Sequence, residues 1–208
     1  MALYMFIAHR VNQLDETIAA DVFGSADGIE FDIRDTGGVI VVQHDPFVGG
    51  QLFTEFLKFC PSNKFYIVNV KSEGIERRAI ADLEAHGITQ FFLLDCSIPM
   101  MVRLGKEGER RLAVRLSEYE SLSTVEAMVP FVTWVWVDVF TLLPLTREAE
   151  ESIRQRGLKL CLVSPELQGQ QEKVVEYKTL LAERGVTIDA VCSKLYNRGL
   201  WLAQNNII

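Results

Sequence analysis

The first part of the chain carries side chains that together could cleave a phosphate ester. Two histidines flank a pair of carboxylates, and basic residues lie among them. In chain order these residues are His9, Arg10, Glu30, Asp32, His44 and Lys71. Imidazoles can carry protons, paired carboxylates can bind a metal cation, and basic side chains can bind an anionic substrate. The combination therefore points to phosphate-ester chemistry.

The two carboxylates lie two residues apart in an apolar run, residues 28–33. In a strand such residues share a face, so Glu30 and Asp32 point one way and Phe31 the other. Two carboxylates on one buried face repel each other unless a cation or a proton lies between them. Carboxylate oxygens favour Mg²⁺ or Ca²⁺. The alternative, one structural and one solvent-facing acid, is the commoner case for an isolated E-x-D.

The other candidates also follow apolar runs. His9 and Arg10 end the first run, where barrel enzymes place their chemistry. Asn69 and Lys71 alternate on a later run, so Asn69 could offer a neutral oxygen to a metal and Lys71 could bind phosphate. Each histidine alone is more often structural, as His86 at a predicted helix end illustrates. Lys71 could equally begin an exposed loop.

Short apolar runs alternate with amphipathic stretches along the chain, which predicts strands alternating with helices. The predicted strands are residues 4–8, 28–33, 65–70, 91–94, 112–116, 132–139, 158–163 and 188–192. The predicted helices are residues 13–23, 51–59, 75–85, 99–105, 121–128, 146–155, 170–183 and 198–204. Eight such pairs predict an α/β fold, a compact (β/α)₈ TIM barrel.

The second strand is followed by a turn signal and a further β-rich run. Gly37 and Gly38 separate this strand from residues 39–43. The pattern predicts a short hairpin insertion after strand 2, which would bring His44 back over the barrel mouth. Trp134 and Trp136 alternate in the run at 132–139. They could form an apolar wall for a substrate, but core filling is the more frequent role of such rings.

Composition limits the function classes. The 208 residues, 49% of them hydrophobic, fit a single domain over residues 1–208. A net charge of −7 and the lack of a basic block argue against a nucleic-acid partner. The four cysteines show no CxxC spacing, which favours buried reduced thiols and a cytoplasmic location. No apolar run is long enough for membrane insertion, and the apolar N-terminal stretch lacks a basic leader. Nothing in the sequence indicates an oligomeric state.

Taken in order, these motifs resemble those of the glycerophosphodiester phosphodiesterase family, whose pattern is H-R-G, then E-x-D, then a turn and a strand ending in H-D. The matching segments are IAHR at 7–10, GIEFDI at 28–33 and DTGGVIVVQHDP at 35–46. The close match covers roughly the first third of the chain, and the remainder shares the β-α rhythm.

The resemblance implies a metal-dependent phosphodiesterase of lipid metabolism on a (β/α)₈ barrel, with a small-molecule phosphodiester as substrate. It implies that His9 and His44 form the acid/base pair and that Arg10 binds the phosphate. It also implies that Glu30 and Asp32 bind Mg²⁺ or Ca²⁺, and Lys71 corresponds to the family's lysine on strand three.

The sequence departs from the family pattern at two positions of the expected site. Val11 replaces the glycine of H-R-G. On strand three the family's E-x-K, whose glutamate is a third metal ligand, is replaced by Asn69-Val-Lys71. A neutral ligand should weaken cation binding, because ligand charge helps to set affinity. Three later acids could compensate: Glu118, Asp138 and Glu166.

Two other functions remain open at this point. One is a barrel that binds a phosphorylated or polyol ligand without catalysis, with Asn69 marking lost metal chemistry. The other is a sugar-phosphate isomerase or aldolase in which Lys71 acts as a base or forms a Schiff base. No P-loop, serine-hydrolase elbow or zincin motif occurs in the sequence.

Overall fold

Eight parallel strands form an α/β barrel in the computed structural model, which describes residues 4–203. The barrel strands are β1 (Met5–Ala8), β2 (Gly28–Thr36), β5 (Phe65–Val70), β6 (Phe91–Leu94), β7 (Ala113–Leu116), β8 (Trp134–Val137), β9 (Lys159–Val163) and β10 (Ala190–Ser193). The eight predicted strands are all present, and the predicted barrel is confirmed.

The strands pair in the ring order β1-β2-β5-β6 and β7-β8-β9-β10, and β10 pairs with β1. The contact between β6 and β7 differs from the others. It consists of one isolated parallel bridge, Leu93 to Leu112, with the Leu93 N–H donating to the Arg111 carbonyl at 2.8 Å. The ring therefore has one weak seam.

Eight α-helices accompany the strands in the described part of the chain. They are α1 (Glu16–Ser25), α2 (Phe53–Leu57), α3 (Glu76–Ala85), α4 (Ile98–Lys106), α5 (Leu122–Met128), α6 (Arg147–Gln155), α7 (Val174–Glu183) and α8 (Arg198–Leu202). Helix α1 begins later than predicted because Asp15 caps it, its carboxylate accepting from the Ile18 N–H at 2.8 Å. Helix α7 also begins later, after a short 3₁₀ turn. The predicted end of the last helix, Gln204, lies outside the described residues.

The predicted hairpin is confirmed. The end of β2 pairs antiparallel with β3 (Val39–Val42), which pairs with β4 (Gln51–Leu52). Gly37 and Gly38 have φ values of 62° and 88°, a conformation that suits residues without a Cβ. The Gln51 amide exchanges two hydrogen bonds with the backbone of Leu14, both 2.9 Å. This contact fixes the hairpin against the loop that follows β1.

Aromatic rings fill the barrel interior. Phe65, Phe92 and Trp134 lie with ring centroids 5.1–5.8 Å apart, and Trp136 packs on Phe92 at 6.4 Å. Both tryptophans are 4% exposed, so they are core residues and not a substrate wall. The four cysteines are buried and unpaired, as predicted. Among residues 4–203, no helix combines the length and apolar character needed to cross a membrane.

Candidate active site at the barrel mouth

Three neighbouring strands deliver the predicted site residues to one edge of the barrel. His9 and Arg10 follow β1, Glu30 and Asp32 lie on β2, and Asn69 lies near the end of β5, which Lys71 follows. The parallel register pairs Asp32 directly with Asn69. Because paired residues of neighbouring strands point to the same side, both face the barrel interior.

The predicted orientation of the carboxylates is confirmed. Glu30 and Asp32 are each 1% exposed. Phe31, between them, points outward and packs on Phe53 and Phe56 of α2 at centroid distances of 5.9 and 4.8 Å. The alternation of β2 therefore separates an acidic interior face from an apolar outer face.

Both carboxylate oxygens of Glu30 accept a hydrogen bond. Its Oε2 accepts the Arg10 N–H at 2.7 Å and lies 3.7 Å from His9 Nε2. Its Oε1 accepts Asn69 Nδ2 at 3.0 Å. Burial, followed by the charge of Asp32, raises the pKa of Glu30 to about 7. Two adjacent buried carboxylates thus resist holding two negative charges at once.

Asp32 is oriented by a residue that the sequence did not reveal. Asn12, in the loop after β1, donates from Nδ2 to Asp32 Oδ2 at 2.8 Å and accepts the Asp32 N–H on Oδ1 at 2.9 Å. Arg10 Nε lies 3.8 Å from the same Oδ2, and Lys71 Nζ lies 3.6 Å from Oδ1. Asn12 lies in an irregular loop, where no periodicity marks which side chains turn inward.

Two oxygens of this cluster have no hydrogen-bond donor. Asp32 Oδ1 and Asn69 Oδ1 are buried and without a partner. Buried acceptors normally have partners, so two such oxygens beside a second carboxylate fit a bound cation. The oxygen set of Glu30, Asp32 and Asn69 suits a hard divalent ion.

The later acids do not replace the missing glutamate. The carboxylate of Glu118 accepts from the Thr141 hydroxyl and the Leu142 N–H. Glu166 accepts from the Ser193 hydroxyl and the Lys194 N–H. Asp138 pairs with Arg115. Within residues 4–203 no group of three or more His, Cys, Asp or Glu side chains is arranged to hold a metal, so the third oxygen ligand available is the Asn69 amide.

His9 is a neutral imidazole at the floor of the mouth. Burial lowers its pKa to about 3, with further contributions from Lys194, Arg10, His44 and Lys71. Its Nδ1 is buried without a hydrogen-bond partner. Lys194, directly after β10, is thus a third cation near the site.

His44 lies on the hairpin, and its side chain is 37% exposed. Its Nδ1 is 2.8 Å from Asp45 Oδ1, a contact that fixes the orientation of the ring. The segment is held from below by Arg34, which donates to the His44 carbonyl at 2.8 Å. The Gln43 N–H donates to the Asp32 carbonyl at 2.9 Å, so the residue before His44 is fixed beside the strand that carries both carboxylates.

The lost glycine of the H-R-G pattern causes no distortion at Val11. The left-handed residue in this turn is Arg10 itself, at φ 56°. Val11 donates its N–H to the Glu30 carbonyl at 2.8 Å. The Arg10 side chain is 45% exposed and free to meet a substrate.

Lys71 begins a chain of ion pairs across the mouth. Its Nζ lies 2.9 Å from Asp95 Oδ2, and the other oxygen of Asp95 binds Arg115, which also binds Asp138. Burial alone would raise the pKa of Asp95, but Arg115 and Lys71 outweigh it and hold that pKa below its usual value. Lys71 thus lies between two carboxylates, those of Asp32 and Asp95.

No protein-family model and no curated protein matches the sequence. Solved structures do match. A glycerophosphodiester phosphodiesterase from Thermotoga maritima superposes with a TM-score of 0.69 at 15% identity, covering 96% of this chain and 98% of the other. One from Agrobacterium tumefaciens gives 0.66 at 17% identity, with 91% and 96% covered. One from Parabacteroides distasonis gives 0.65 at 14% identity, with 97% and 86% covered. The resemblance is thereby confirmed at the level of the fold: this chain has the barrel of the glycerophosphodiester phosphodiesterases.

Proposed function

We propose that the chain is a phosphodiester hydrolase that acts on a glycerophosphodiester-like or another polyol or sugar phosphodiester. One observation carries the proposal. His9, Arg10 and Lys71 lie 3.6–3.8 Å from two buried carboxylates, oxygens beside them have no hydrogen-bond partner, and the segment before His44 is hydrogen-bonded to the same strand. Hydrolysis of a phosphodiester requires neutralisation of the phosphate charge, proton donors and acceptors, and a fixed geometry, which these groups supply.

The cation site of the proposal consists of Glu30, Asp32 and the oxygen of Asn69. A bound Mg²⁺ or Ca²⁺ would neutralise charge on the phosphate oxygens. The amide at Asn69 contributes no charge, so this chain should bind the ion less tightly than a site with three carboxylates. Arg10 and Lys71 would bind the phosphate from the protein side, Arg10 through its exposed guanidinium.

The histidines divide the proton transfers. Neutral His9 accepts the proton of the attacking hydroxyl, which belongs to water or to a neighbouring group of the substrate. Burial lowers the pKa of His9 most and nearby cations lower it further, so an anionic phosphate beside the ring would offset the cations and increase its basicity. His44, oriented by Asp45, donates to the leaving alkoxide. Each transfer is expected to contribute roughly 10²–10⁴ in rate.

The test is hydrolysis of glycerophosphocholine and bis(p-nitrophenyl) phosphate by the purified protein, stripped with chelator and then supplied with Mg²⁺ or Ca²⁺. We expect cation-dependent turnover that is lost in His9→Ala and in His44→Ala. His86→Ala is the matched control, since this ring contacts the Asp82 carbonyl at the end of α3, away from the mouth. Turnover that survives both substitutions would reject the histidine roles.

One observation favours a second function, a barrel that binds a phosphorylated or polyol ligand without hydrolysing it. Asn69 donates a hydrogen bond to Glu30 where a third carboxylate would otherwise help to bind the cation. Absence of turnover with every phosphodiester, together with retained binding of inorganic phosphate, would favour this function. A cytoplasmic location is also part of the proposal, supported by four buried thiols without a disulfide.

A further inference from the structure

The weak seam of the barrel contains a cavity. Strands β6 and β7 share a single bridge, and a cavity of about 410 Å³ opens beside it. Its apolar lining comes from both strands, from α4 and from the loop between β6 and α4: Leu94, Cys96, Ile98, Met101, Ala113 and Val114. Small-molecule sites typically occupy about 300–1,000 Å³, so the cavity is large enough for part of a ligand.

The cation of the cavity wall is already occupied by acids. Arg115 binds Asp95 and Asp138, and its Nε lies 3.5 Å from Glu120. Glu120 in turn accepts the Ser117 hydroxyl at 2.7 Å. Arg115 is therefore not free to pair with an anionic ligand. Since most of the lining is apolar, an uncharged apolar group fits it better than an anion does.

The cavity borders the proposed phosphate site at Asp95. Asp95 forms part of its wall, and the same carboxylate accepts Lys71 Nζ at 2.9 Å. Lys71 lies 3.6 Å from Asp32 Oδ1. A phosphodiester held at Lys71 therefore places one of its two ester arms beside the seam.

We propose that the seam cavity binds an uncharged hydrocarbon arm of the phosphodiester substrate. This inference rests on the proposed function and narrows the substrate class: one alcohol of the substrate is an alkyl group or an alkyl-rich chain. The other arm remains in the polar half of the mouth, beside His9 and Arg10. The cavity therefore sets specificity, and the chemistry stays on the opposite side of Lys71.

The experiment compares glycerophosphate esters that differ only in the second alcohol. One pair is choline and its uncharged carbon isostere 3,3-dimethylbutanol, and a second series runs from methanol to n-octanol. We expect the dimethylbutyl ester to exceed the choline ester in kcat/KM. Along the series kcat/KM should rise by up to about fourfold for each methylene group that becomes fully buried.

A substitution that fills the cavity supplies the second measurement. Thr124 lines the cavity from α5 and is half-buried, so Thr124→Trp should remove the gain in kcat/KM from the longer chains. Thr179→Trp is the matched control, because Thr179 is exposed on α7, outside the seam. It should leave the whole series unchanged.

Equal kcat/KM for all arms, or preference for choline, would overturn the seam proposal and leave the proposed hydrolase standing. If no ester is hydrolysed, the proposed function fails and calorimetry with methyl phosphate and n-octyl phosphate decides the seam separately. Tighter binding of the octyl compound that Thr124→Trp abolishes would support the cavity as a hydrocarbon site. Equal affinities would overturn it.

Discussion

The two halves of the barrel mouth differ in how completely the oxygens of their buried acids are hydrogen-bonded. On the side of β1, β2 and β5, Glu30 and Asp32 lie side by side, and oxygens of Asp32 and Asn69 have no donor. On the side of β8 to β10, the strand-end acids Asp138 and Glu166 accept hydrogen bonds on both oxygens, although Glu118 Oε2 and Gln170 Oε1 in the nearby loops have no partner. Asp138, for example, accepts from Arg115, Gln168 and the Val139 N–H.

This difference separates a binding half from a structural half. Unpaired buried oxygens cost stability in the free protein, and they are retained where a ligand can satisfy them. The structural half holds strand ends and loops together, as Glu166 does by accepting from Ser193 and Lys194 across β9 and β10. Substitutions of the same type should therefore affect activity in one half and stability in the other.

The largest contrast is expected between Asp32→Asn and Asp138→Asn. In Asp32→Asn the hydrogen bond from Asn12 can persist, so stability should change by less than about 1 kcal/mol. Turnover should fall roughly 10³-fold or more, because a charged cation ligand is lost. Asp138→Asn weakens a buried ion pair and should cost about 2–3 kcal/mol of unfolding free energy. Its turnover should stay within about tenfold of the wild type.

Urea denaturation and steady-state kinetics on both variants measure this contrast. Equal losses of activity in the two variants would show that the halves are not functionally distinct. A large stability loss in Asp32→Asn would place this carboxylate among the structural acids.

Glu30 should make stability fall as the pH rises. Its pKa is raised from the usual 4.5 to about 7, so the folded protein retains a proton that the unfolded chain releases. This contribution is complete below pH 4.5 and is lost as the pH passes through 7. The advantage of Glu30→Gln over the wild type in unfolding free energy should therefore grow by about 1–3 kcal/mol between pH 5 and pH 9.

Denaturation curves in chelator across that pH range give the measurement. The depressed pKa of His9 acts in the opposite direction below pH 6.5, but it is common to both proteins and cancels in the difference. Adding Ca²⁺ at pH 9 should stabilise the wild type more than the variant. If the unfolding free energies of the two proteins changed in parallel with pH, the pKa of Glu30 would not be raised in the folded protein.

The sequence predicted those parts of the two halves in which the periodicity of apolar residues relates position along the chain to side-chain direction. The two-residue alternation of β2 was enough to place Glu30 and Asp32 on one buried face, and the glycine pair at 37–38 marked the hairpin that carries His44. Asn12 could not be found in this way, because a loop has no repeating pattern that relates residue position to direction.

The weak seam between β6 and β7 could not be predicted from the sequence either. The runs that became β6 and β7 resemble the other apolar runs, and strand register depends on the stagger of the whole barrel. Arg115 lies within one of these runs, and its central position in the ion-pair network follows from strand neighbours that are distant along the chain.

A smaller difference in kcat/KM is expected between substitutions of Asn12 and Gln168, whose side-chain amides orient Asp32 and Asp138. The side-chain amide of Asn12 donates to the Asp32 carboxylate and accepts the Asp32 N–H. Gln168 donates to Asp138 at 2.8 Å. Residues that orient metal ligands typically affect affinity or activity by about 10–100-fold. Asn12→Ala should reduce kcat/KM by that factor, whereas Gln168→Ala should reduce it less than about threefold. A reversed order of the two effects would contradict the assignment of the halves.

The finest test concerns the one place where the binding half lacks a charge. Asn69→Glu exchanges a donor to Glu30 for a third carboxylate, which adds repulsion in the free protein and attraction for a cation. Calorimetric titration should show Mg²⁺ or Ca²⁺ binding about tenfold tighter, and in chelator the variant should be less stable than the wild type. Asn69→Gln, which has the length of glutamate without its charge, should not tighten binding. If Asn69→Glu leaves the affinity unchanged, the unpartnered oxygen of Asn69 does not belong to a cation site, and the contrast between the halves would rest on Glu30 and Asp32 alone.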